Sequence, residues 1–328
     1  MDKGSKRETY IQTIRIKTLP AVLGPIIIAI AIAINANRFE LLTSVLVLLI
    51  GICLQILVNL FNDLGDYEKG VDNKKRLGPE RSLQSGKISK NEMRKLIAFV
   101  ILITLILGFI AFLNSGITVI FLGISLILIA YLYTSGPFPY GYKGLGEIMV
   151  ILIFGPVTIL GALFLFDIEY NLIILLISII CGLSTSTIIL TNNIRDLEND
   201  YTHNKITLAV KLGEKKSRIL YILTISLISL LLLIASMENF NNIILSFFVW
   251  FTFPISDFGI KRFSFKINFS RFGRDLNHTL YRTALSHLLL CISLAISITY
   301  PSVIIASLFL VIINLSYITI NKFRQWKN

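Results

Sequence analysis

Residues 171–200 read NLIILLISIICGLSTSTIILTNNIRDLEND. The first two thirds are apolar or small, and as a helix such a run is long enough to cross the roughly 30 Å hydrocarbon layer of a membrane. The last third is rich in amides and carboxylates, and Asn192, Asp196 and Asp200 stand four residues apart. This spacing puts side chains on one face of a helix. The stretch predicts a membrane-spanning helix with an acid-rich face at its end.

The same pattern occurs earlier in the chain. An apolar run over about 41–61 ends in residues 59–66, NLFNDLGD, where Asn59, Asp63 and Asp66 follow the i, i+4, i+7 spacing and Asn62 pairs with Asp66. Because four apolar runs separate the two clusters, both should emerge on the same side of the membrane. We therefore expect the two clusters to converge on one ligand.

The composition extends this interpretation to the whole chain. Of 328 residues, 55% are hydrophobic and only 15% are charged, with a mean hydropathy of +0.76, whereas soluble domains carry about 25% charged residues. Lipid leaves backbone polar groups unsatisfied, so the spans should be helices. We predict an all-α, polytopic transmembrane bundle forming one domain over 1–328, with its core at about 15–299. Ten apolar runs are candidate spans: 19–36, 41–61, 95–113, 117–134, 147–166, 171–191, 218–235, 241–256, 282–299 and 301–320.

The distribution of basic residues predicts the orientation. With the N-terminus inside, all of the 31 Lys and Arg residues except Arg38 fall on the inner side or at its span edges. Such asymmetry marks the cytoplasmic face, and it accounts for the net charge of +12 without nucleic acid. The sequence shows no sign of an obligate protein partner. The three cysteines lie in separate apolar runs, which argues against disulfides and thiolate metal sites.

The acid clusters need a cation. Like charges repel, they lie near low dielectric, and the end of a helix dipole disfavours them. Mg²⁺ fits because it takes oxygen ligands, usually from one or two carboxylates together with substrate phosphates. We expect Asp63, Asp66, Asp196 and Asp200 to be catalytic through this metal. The predicted ligand set adds amides to these acids: Asn59, Asn62 and Asn192.

Basic residues next to the clusters complete a predicted diphosphate site. Arginine can hold phosphate oxygens with a planar fork, and lysine acts as a point charge. A diphosphate at the mouth of a lipid-embedded bundle suggests a polyprenyl diphosphate, whose departing pyrophosphate the metal and cations would stabilise. The loop 133–144 offers aromatic faces for the resulting cation. The candidate diphosphate-binding residues are Arg15, Lys69, Arg76, Arg81, Arg195 and Lys205; Tyr133, Tyr140 and Lys143 are candidates for acceptor binding.

Several motifs together resemble the UbiA-type membrane prenyltransferases over roughly residues 15–282, most of all the 1,4-dihydroxy-2-naphthoate polyprenyltransferase branch of menaquinone synthesis. The motifs are KTLP at 17–20, NDLGD at 62–66, KGVD at 69–72, RLGP at 76–79, PYGYKGLGE at 139–147, NNIRD at 192–196 and KITLAVKLG at 205–213.

The resemblance implies a nine-helix fold around a cavity open to lipid, with magnesium bound at the two aspartate motifs and Asp72 as the last acid of the first. It implies prenylation of an aromatic ring with loss of its carboxyl group as CO₂, giving demethylmenaquinone. The run 301–320 has no counterpart in the nine-helix pattern. The lysine that many relatives carry soon after a Tyr-Thr pair is not at its usual place, which weakens the assignment of Lys143.

Two alternatives stay open at this point. The acceptor could be 4-hydroxybenzoate, homogentisate or a lipid alcohol. A transporter or channel would also suit ten spans, although transport sites normally lie near the bilayer midplane, whereas these charges cluster at one surface. Glu147 is a further candidate near the acceptor, its other interpretation being an interfacial acid that starts a span.

Overall fold

The computed structural model describes residues 3–73, 76–236, 249, 252–258 and 273–300. These residues form helices joined by short loops, with no strand among them, as the sequence predicts. The helices are α1 Lys3–Ile14, α2 Pro20–Asn35, α3 Leu41–Glu68, α4 Lys90–Ser115, α5 Thr118–Leu132, α6 Gly146–Leu152, α7 Thr158–Leu165, α8 Leu172–Arg195, α9 Leu197–Thr202, α10 Leu208–Leu212, α11 Glu214–Ala235 and α12 Leu276–Thr299. A π-helical turn, Ile153–Val157, joins α6 to α7.

The chain is an integral, multi-pass membrane protein. Within the described residues, six helical segments are long and apolar enough to cross a membrane: Leu41–Glu68, Lys90–Ser115, Gly146–Leu165, Leu172–Arg195, Glu214–Ala235 and Gly273–Thr299. The pair Lys6–Thr18 and Pro20–Asn35, bent by 56°, would be a seventh, and α5 is a shorter apolar helix. Eight of the ten predicted spans thus coincide with helices. The predicted span 301–320, and most of 241–256, lie outside the described residues.

Helix α8 lies at the centre of the bundle, packing against α6, α11, α12 and the π-helical turn. Its contact with α6 and the turn is closest at two glycines. A Cβ on Gly155 would meet the carbonyl of Ser178, and a Cβ on Gly182 would meet the carbonyl of Ile151. In membranes, small residues allow such backbone approach, and van der Waals packing supplies the association energy. The glycines therefore fix the position of α8, whose end carries the second acid cluster.

Replacing Gly182 with alanine should destabilise the fold, because the added methyl group meets a backbone carbonyl that cannot move independently. We expect a loss of about 1–3 kcal/mol, the usual range for overpacking, measured as a lower thermal unfolding midpoint in detergent. Gly108→Ala on α4 is the matched control, since a Cβ there meets nothing within 4 Å. Equal unfolding temperatures for the two variants would contradict this account of the packing.

The elbow between α1 and α2 directs a cationic side chain towards α3. Arg15 adopts a left-handed backbone conformation with φ of 56°, which is strained for a residue with a side chain and often marks a functional site. A 3₁₀ turn at Ile16–Thr18 follows, and Pro20 then opens α2 at a first-turn position, where its missing N–H costs nothing. The guanidinium of Arg15 reaches Asp63 on α3.

The chain after α3 folds back over the end of α8. The amide of Asn73 donates to Asn199 Oδ1 at 2.9 Å, and the amide of Asn199 donates to the carbonyl of Val71 at 3.1 Å. Further along, Ser89 and Glu92 form a capping box that starts α4. The ends of α3 and α8 therefore lie together, as the even number of intervening spans predicts.

Candidate active site

An apolar cavity of about 1160 Å³ opens between the helices. Its walls include residues of α2, α3, α4, α5, α7, α8, α12 and the π-helical turn, such as Ile26, Val47, Phe109 and Leu165. Its polar part carries residues from both motif regions and the elbow: Arg15, Asn59, Asn62, Asp63, Arg76, Arg81, Asn192 and Arg195. The cavity thus joins a charged region to a long hydrocarbon-like interior.

The first acid cluster is buried among cations. Asp63 is 1% exposed and forms ion pairs with both Arg15 and Arg81. Asp66 accepts hydrogen bonds from the Tyr142 hydroxyl at 2.7 Å and from Lys205 Nζ at 2.8 Å. Each carboxylate at the end of α3 therefore has cationic partners from distant parts of the chain.

The second cluster is organised around Arg195. Its guanidinium donates to both carboxylate oxygens of Asp196, at 2.9 and 2.5 Å. It also donates to Asn192 Oδ1 at 2.7 Å and to Asn277 Oδ1 on α12 at 2.9 Å. Asp200, the last acid of this cluster, is also buried. Arg195, predicted to bind diphosphate, thus has its side chain held at the cavity wall.

One arginine bridges the two clusters. Arg76 Nε lies 3.2 Å from Asp72 Oδ1, and its Nη2 lies 3.6 Å from Asp196 Oδ2. Arg81 Nε lies 3.7 Å from Asp72 Oδ2 and extends the network back to Asp63. The convergence of the two clusters, predicted from helical spacing, is confirmed by these contacts.

At two of the acids, burial outweighs the nearby cations and raises the pKa. Burial, with the Asp66 charge as the next contribution, raises the pKa of Asp72 to about 7. Burial also raises the pKa of Asp200 to about 7, despite the opposing effect of Lys205. Burial would raise the pKa of Asp196 as well, but the Arg195 guanidinium outweighs it and the pKa lies below its usual value. A further cation near Asp72 and Asp200 would hold both in their charged forms.

The donor set fits magnesium bound together with phosphate. Among the residues that the structure describes, no three His, Cys, Asp or Glu side chains lie close enough to hold a metal by themselves. Among the described residues, Asn62 Oδ1 is buried without a hydrogen-bond donor, and the Asp72 carboxylate is held by ion pairs with Arg76 and Arg81 without a directed hydrogen bond. Such oxygen atoms suit Mg²⁺, which keeps waters and takes phosphate oxygens alongside one or two carboxylates.

Asn59 has other partners in this structure. Its amide donates to the Ile14 carbonyl at 3.1 Å and to Thr18 Oγ1 at 2.8 Å, both at the elbow. Its predicted role as a ligand therefore gains no support from its contacts, and the contacts show instead that it fixes the elbow.

The predicted acceptor residues fall into two groups. Tyr133 and Tyr140 line the cavity, and their ring centroids lie 5.4 Å apart. Lys143 is exposed, does not line the cavity, and places its Nζ 3.4 Å from the centroid of Phe138. Of the lysines predicted to bind diphosphate, Lys69 donates to the Thr134 carbonyl and lies over the Tyr142 ring at 4.1 Å, whereas Lys205 faces Asp66. The role of Lys143 in acceptor binding therefore stays a prediction.

Some residues of the site were not among the candidates from sequence. Tyr142 belongs to a quoted motif, but its bond to Asp66 had no separate signal. Asn277 lies outside every motif. Gln55 lines the cavity one helical turn before Asn59, and its signal was a polar residue inside an apolar run. Glu147, considered near the acceptor, is buried and accepts a hydrogen bond from Asn193 at 2.9 Å.

Comparison with known proteins agrees with this architecture. A family model described as the UbiA prenyltransferase family matches residues 15–264. A 1,4-dihydroxy-2-naphthoate octaprenyltransferase from Escherichia coli (strain K12) is 37% identical over 227 residues, covering 65% of this chain and 71% of that protein. A protein of the same name from Haemophilus influenzae is 38% identical over 233 residues, covering 69% of this chain and 76% of that protein.

A solved structure shares the fold. The UbiA homolog from Archaeoglobus fulgidus bound to GPP and Mg²⁺ superimposes with a TM-score of 0.64 at 17% identity, covering 89% of this chain and 99% of that one. The family expected from the motifs is confirmed by the sequence match. The chain belongs to the UbiA prenyltransferase family.

Proposed function

We propose that this protein transfers a polyprenyl chain from its diphosphate to 1,4-dihydroxy-2-naphthoate, with Mg²⁺, releasing pyrophosphate and CO₂ and forming demethylmenaquinol, the reduced form of demethylmenaquinone. The observation that carries the proposal is that the two acid clusters meet through shared arginines, and that Asp63 and four arginines of this network line the polar part of a large apolar cavity. A diphosphate with a long hydrocarbon tail has the same division between a charged end and an apolar end. The 37–38% identical relatives named for this reaction give the acceptor.

Binding of the diphosphate would redistribute the present ion pairs. The guanidiniums of Arg15, Arg76 and Arg81 now face carboxylates, and phosphate oxygens would take over part of that contact. Magnesium, held by the freed carboxylates of Asp63 and Asp196 with Asp72 beside them, would neutralise charge on the leaving pyrophosphate. The ion pairs between acids and arginines thus stabilise the highly charged site in its substrate-free state.

The chemical step balances without a further reactant. The bond between the first prenyl carbon and the diphosphate oxygen breaks, and its electron pair leaves with pyrophosphate. A ring carbon of the acceptor supplies the pair for the new carbon–carbon bond. The carboxylate on that carbon leaves as CO₂ and returns its bonding pair to the ring, which becomes aromatic again. Arg76, Arg81 and Arg195 stabilise the charge that builds on the leaving group.

The cavity wall protects the cationic prenyl carbon. Tyr133 and Tyr140 line the cavity, and aromatic faces attract cations. The apolar walls exclude water, which would otherwise capture the cation. These residues are positioned to favour transfer over hydrolysis of the diphosphate.

The active site would face the cytoplasm. This part of the proposal rests on the inner placement of every Lys and Arg except Arg38. Single cysteines introduced at Lys87 and at Asn37, which belong to opposite ends of the helices, would test it with a membrane-impermeant thiol reagent on intact cells. Labelling at position 87 without cell disruption would contradict the orientation.

A direct assay tests the reaction. Membranes containing the protein would be incubated with a labelled polyprenyl diphosphate, Mg²⁺ and one acceptor at a time, and products identified by mass spectrometry. We expect a decarboxylated, prenylated product from 1,4-dihydroxy-2-naphthoate. Product only from 4-hydroxybenzoate, homogentisate or a lipid alcohol would remove the acceptor assignment. In a separate measurement with vesicles, magnesium-independent uptake of a solute would favour transport.

The geometry of the Arg76 guanidinium, and not only its charge, should be needed for reaction of the prenyl diphosphate, because it contacts acids of both clusters. Arg76→Lys keeps the charge but loses the planar fork. We expect kcat/KM for the prenyl diphosphate to fall roughly 100-fold, with little change in thermal stability. Lys87→Ala is the matched control, since Lys87 is exposed and pairs only with Glu80 among described residues. An unaffected Arg76→Lys enzyme would show that the bridge is structural.

A further inference from the structure

Gln55 is a polar residue inside a membrane-spanning helix and at the cavity wall. It lies on α3, is 6% exposed and lines the cavity. Polar groups in such positions are costly and commonly functional. Its carbonyl oxygen Oε1 is buried and has no hydrogen-bond partner among the described residues. A side chain of the cavity wall therefore carries an acceptor atom to which none of those residues donates.

The hydrogen-bond network at the elbow fixes which end of the Gln55 amide is free. Asn59 Nδ2 faces the Ile14 carbonyl, which only accepts, so Asn59 Oδ1 is the atom that faces Gln55. The Thr18 hydroxyl donates to the Arg15 carbonyl at 2.9 Å and so presents its oxygen lone pairs to Gln55. Gln55 Nε2 lies 3.5 Å from Asn59 Oδ1 and 3.4 Å from Thr18 Oγ1. The NH₂ group of Gln55 therefore points towards Asn59 and Thr18, and its carbonyl oxygen has no donor among the described residues.

Only one part of the substrates can donate to this oxygen. The oxygens of an ionised diphosphate accept hydrogen bonds, and a prenyl chain has no polar hydrogen. The aromatic acceptor has hydroxyl groups. In 1,4-dihydroxy-2-naphthoate, the hydroxyl next to the carboxylate can bond within the molecule, whereas the 4-hydroxyl is free to donate elsewhere.

We propose that Gln55 binds the free phenolic hydroxyl of the acceptor and thereby selects hydroxyl-bearing rings, an inference that rests on the proposed function. Gln55 precedes Asp63 by two helical turns, a rise of about 12 Å. That separation accommodates an acceptor ring between the diphosphate end of the cavity and the Gln55 amide. A small rotation of the side chain towards the cavity would bring its oxygen to the hydroxyl.

The test compares two ligands that differ only in the donor. Purified protein in detergent, kept anaerobic, would be titrated with 1,4-dihydroxy-2-naphthoate and with 1-hydroxy-4-methoxy-2-naphthoate, using naphthoate fluorescence. We expect the wild type to bind the dihydroxy compound roughly tenfold more tightly, the effect of one hydrogen bond. In Gln55→Leu the ratio of the two Kd values should fall to about one, with the methyl ether bound as before. A ratio unchanged from the wild type overturns the proposal.

Two further variants make the result specific. Thr104→Val removes another buried polar group near α3, whose hydroxyl already donates to the Val100 carbonyl at 2.7 Å, and it should keep the tenfold ratio. Gln55→Met, unbranched and of similar length, gives the same comparison if Gln55→Leu folds poorly. Loss of discrimination in Thr104→Val as well would overturn a specific role for Gln55.

These titrations need no turnover, so they separate this inference from the proposed function. A wild type that discriminates between the ligands but forms no prenylated product would remove the proposed function and retain a hydroxyl-binding site. A wild type that forms product, with a Gln55→Leu variant of unchanged Kd ratio, would remove only the role of Gln55.

Discussion

Asp63→Asn is expected to lower kcat by at least roughly 10³-fold, because the change removes a charge at the point where the diphosphate site and the apolar cavity meet. Asp63 is 1% exposed and pairs with Arg15 and Arg81. Removing one group that stabilises transition-state charge typically costs about 10²–10³-fold. Here the loss affects both the proposed metal and the arrangement of two arginines. Asparagine keeps the shape, so insertion into the membrane should be normal.

Two comparisons make the measurement decisive. Asp196→Asn should have an effect of similar size, since Asp196 holds Arg195 and faces Arg76 from the second cluster. Glu68→Gln, at the exposed end of the same helix as Asp63, should leave the rate unchanged because its partners Lys90 and Arg94 are surface residues. Initial rates with saturating substrates, normalised to folded protein, would give kcat. Activity retained in both aspartate variants would exclude the proposed metal site.

The architecture of the site was predictable because it follows from local periodicity. Membrane burial makes each apolar run a helix, and the i, i+4 spacing at Asp63 and Asp196 then places each cluster on one face. The even number of spans between them brings both faces to one side. The clusters do meet: Lys205, which follows the second cluster, donates to Asp66 on α3, and Arg76 links Asp72, just after α3, to Asp196.

The partners of the acids were not predictable, because they depend on tertiary packing between residues far apart in sequence. Asn277 on α12 holds Arg195, a contact 82 residues apart, and no motif marks it. The same applies to Tyr142, whose hydroxyl reaches Asp66 across 76 residues. Lys143, next to Tyr142 in sequence, is exposed, because neighbours in a 3₁₀ turn point in different directions. Residue type predicts the chemistry of a loop, but not which side chain faces the cavity.

Removing divalent cations should abolish turnover, and the structure predicts where the loss originates. Asp72 is buried and pairs with Arg76 and Arg81, but its carboxylate accepts no directed hydrogen bond from the described residues. Burial raises the pKa values of Asp72 and Asp200 to about 7. At both acids burial outweighs the nearby cations, and a divalent cation bound together with diphosphate would supply further positive charge. Such a metal contributes several kcal/mol to leaving-group stabilisation, so chelation with EDTA should reduce the rate by roughly 10³-fold or more. Added Mg²⁺ should restore it.

A binding measurement locates this effect at the two clusters. Inorganic pyrophosphate with Mg²⁺ should raise the thermal unfolding midpoint of the wild-type protein in detergent, because a ligand that binds only the folded state stabilises it. Pyrophosphate with EDTA should raise it far less. In Asp63→Asn the shift that depends on Mg²⁺ should disappear, whereas Glu68→Gln should retain it, since Glu68 lies outside the cavity lining. A shift of wild-type size in Asp63→Asn would place the metal away from the converging acids, even if the enzyme needed magnesium.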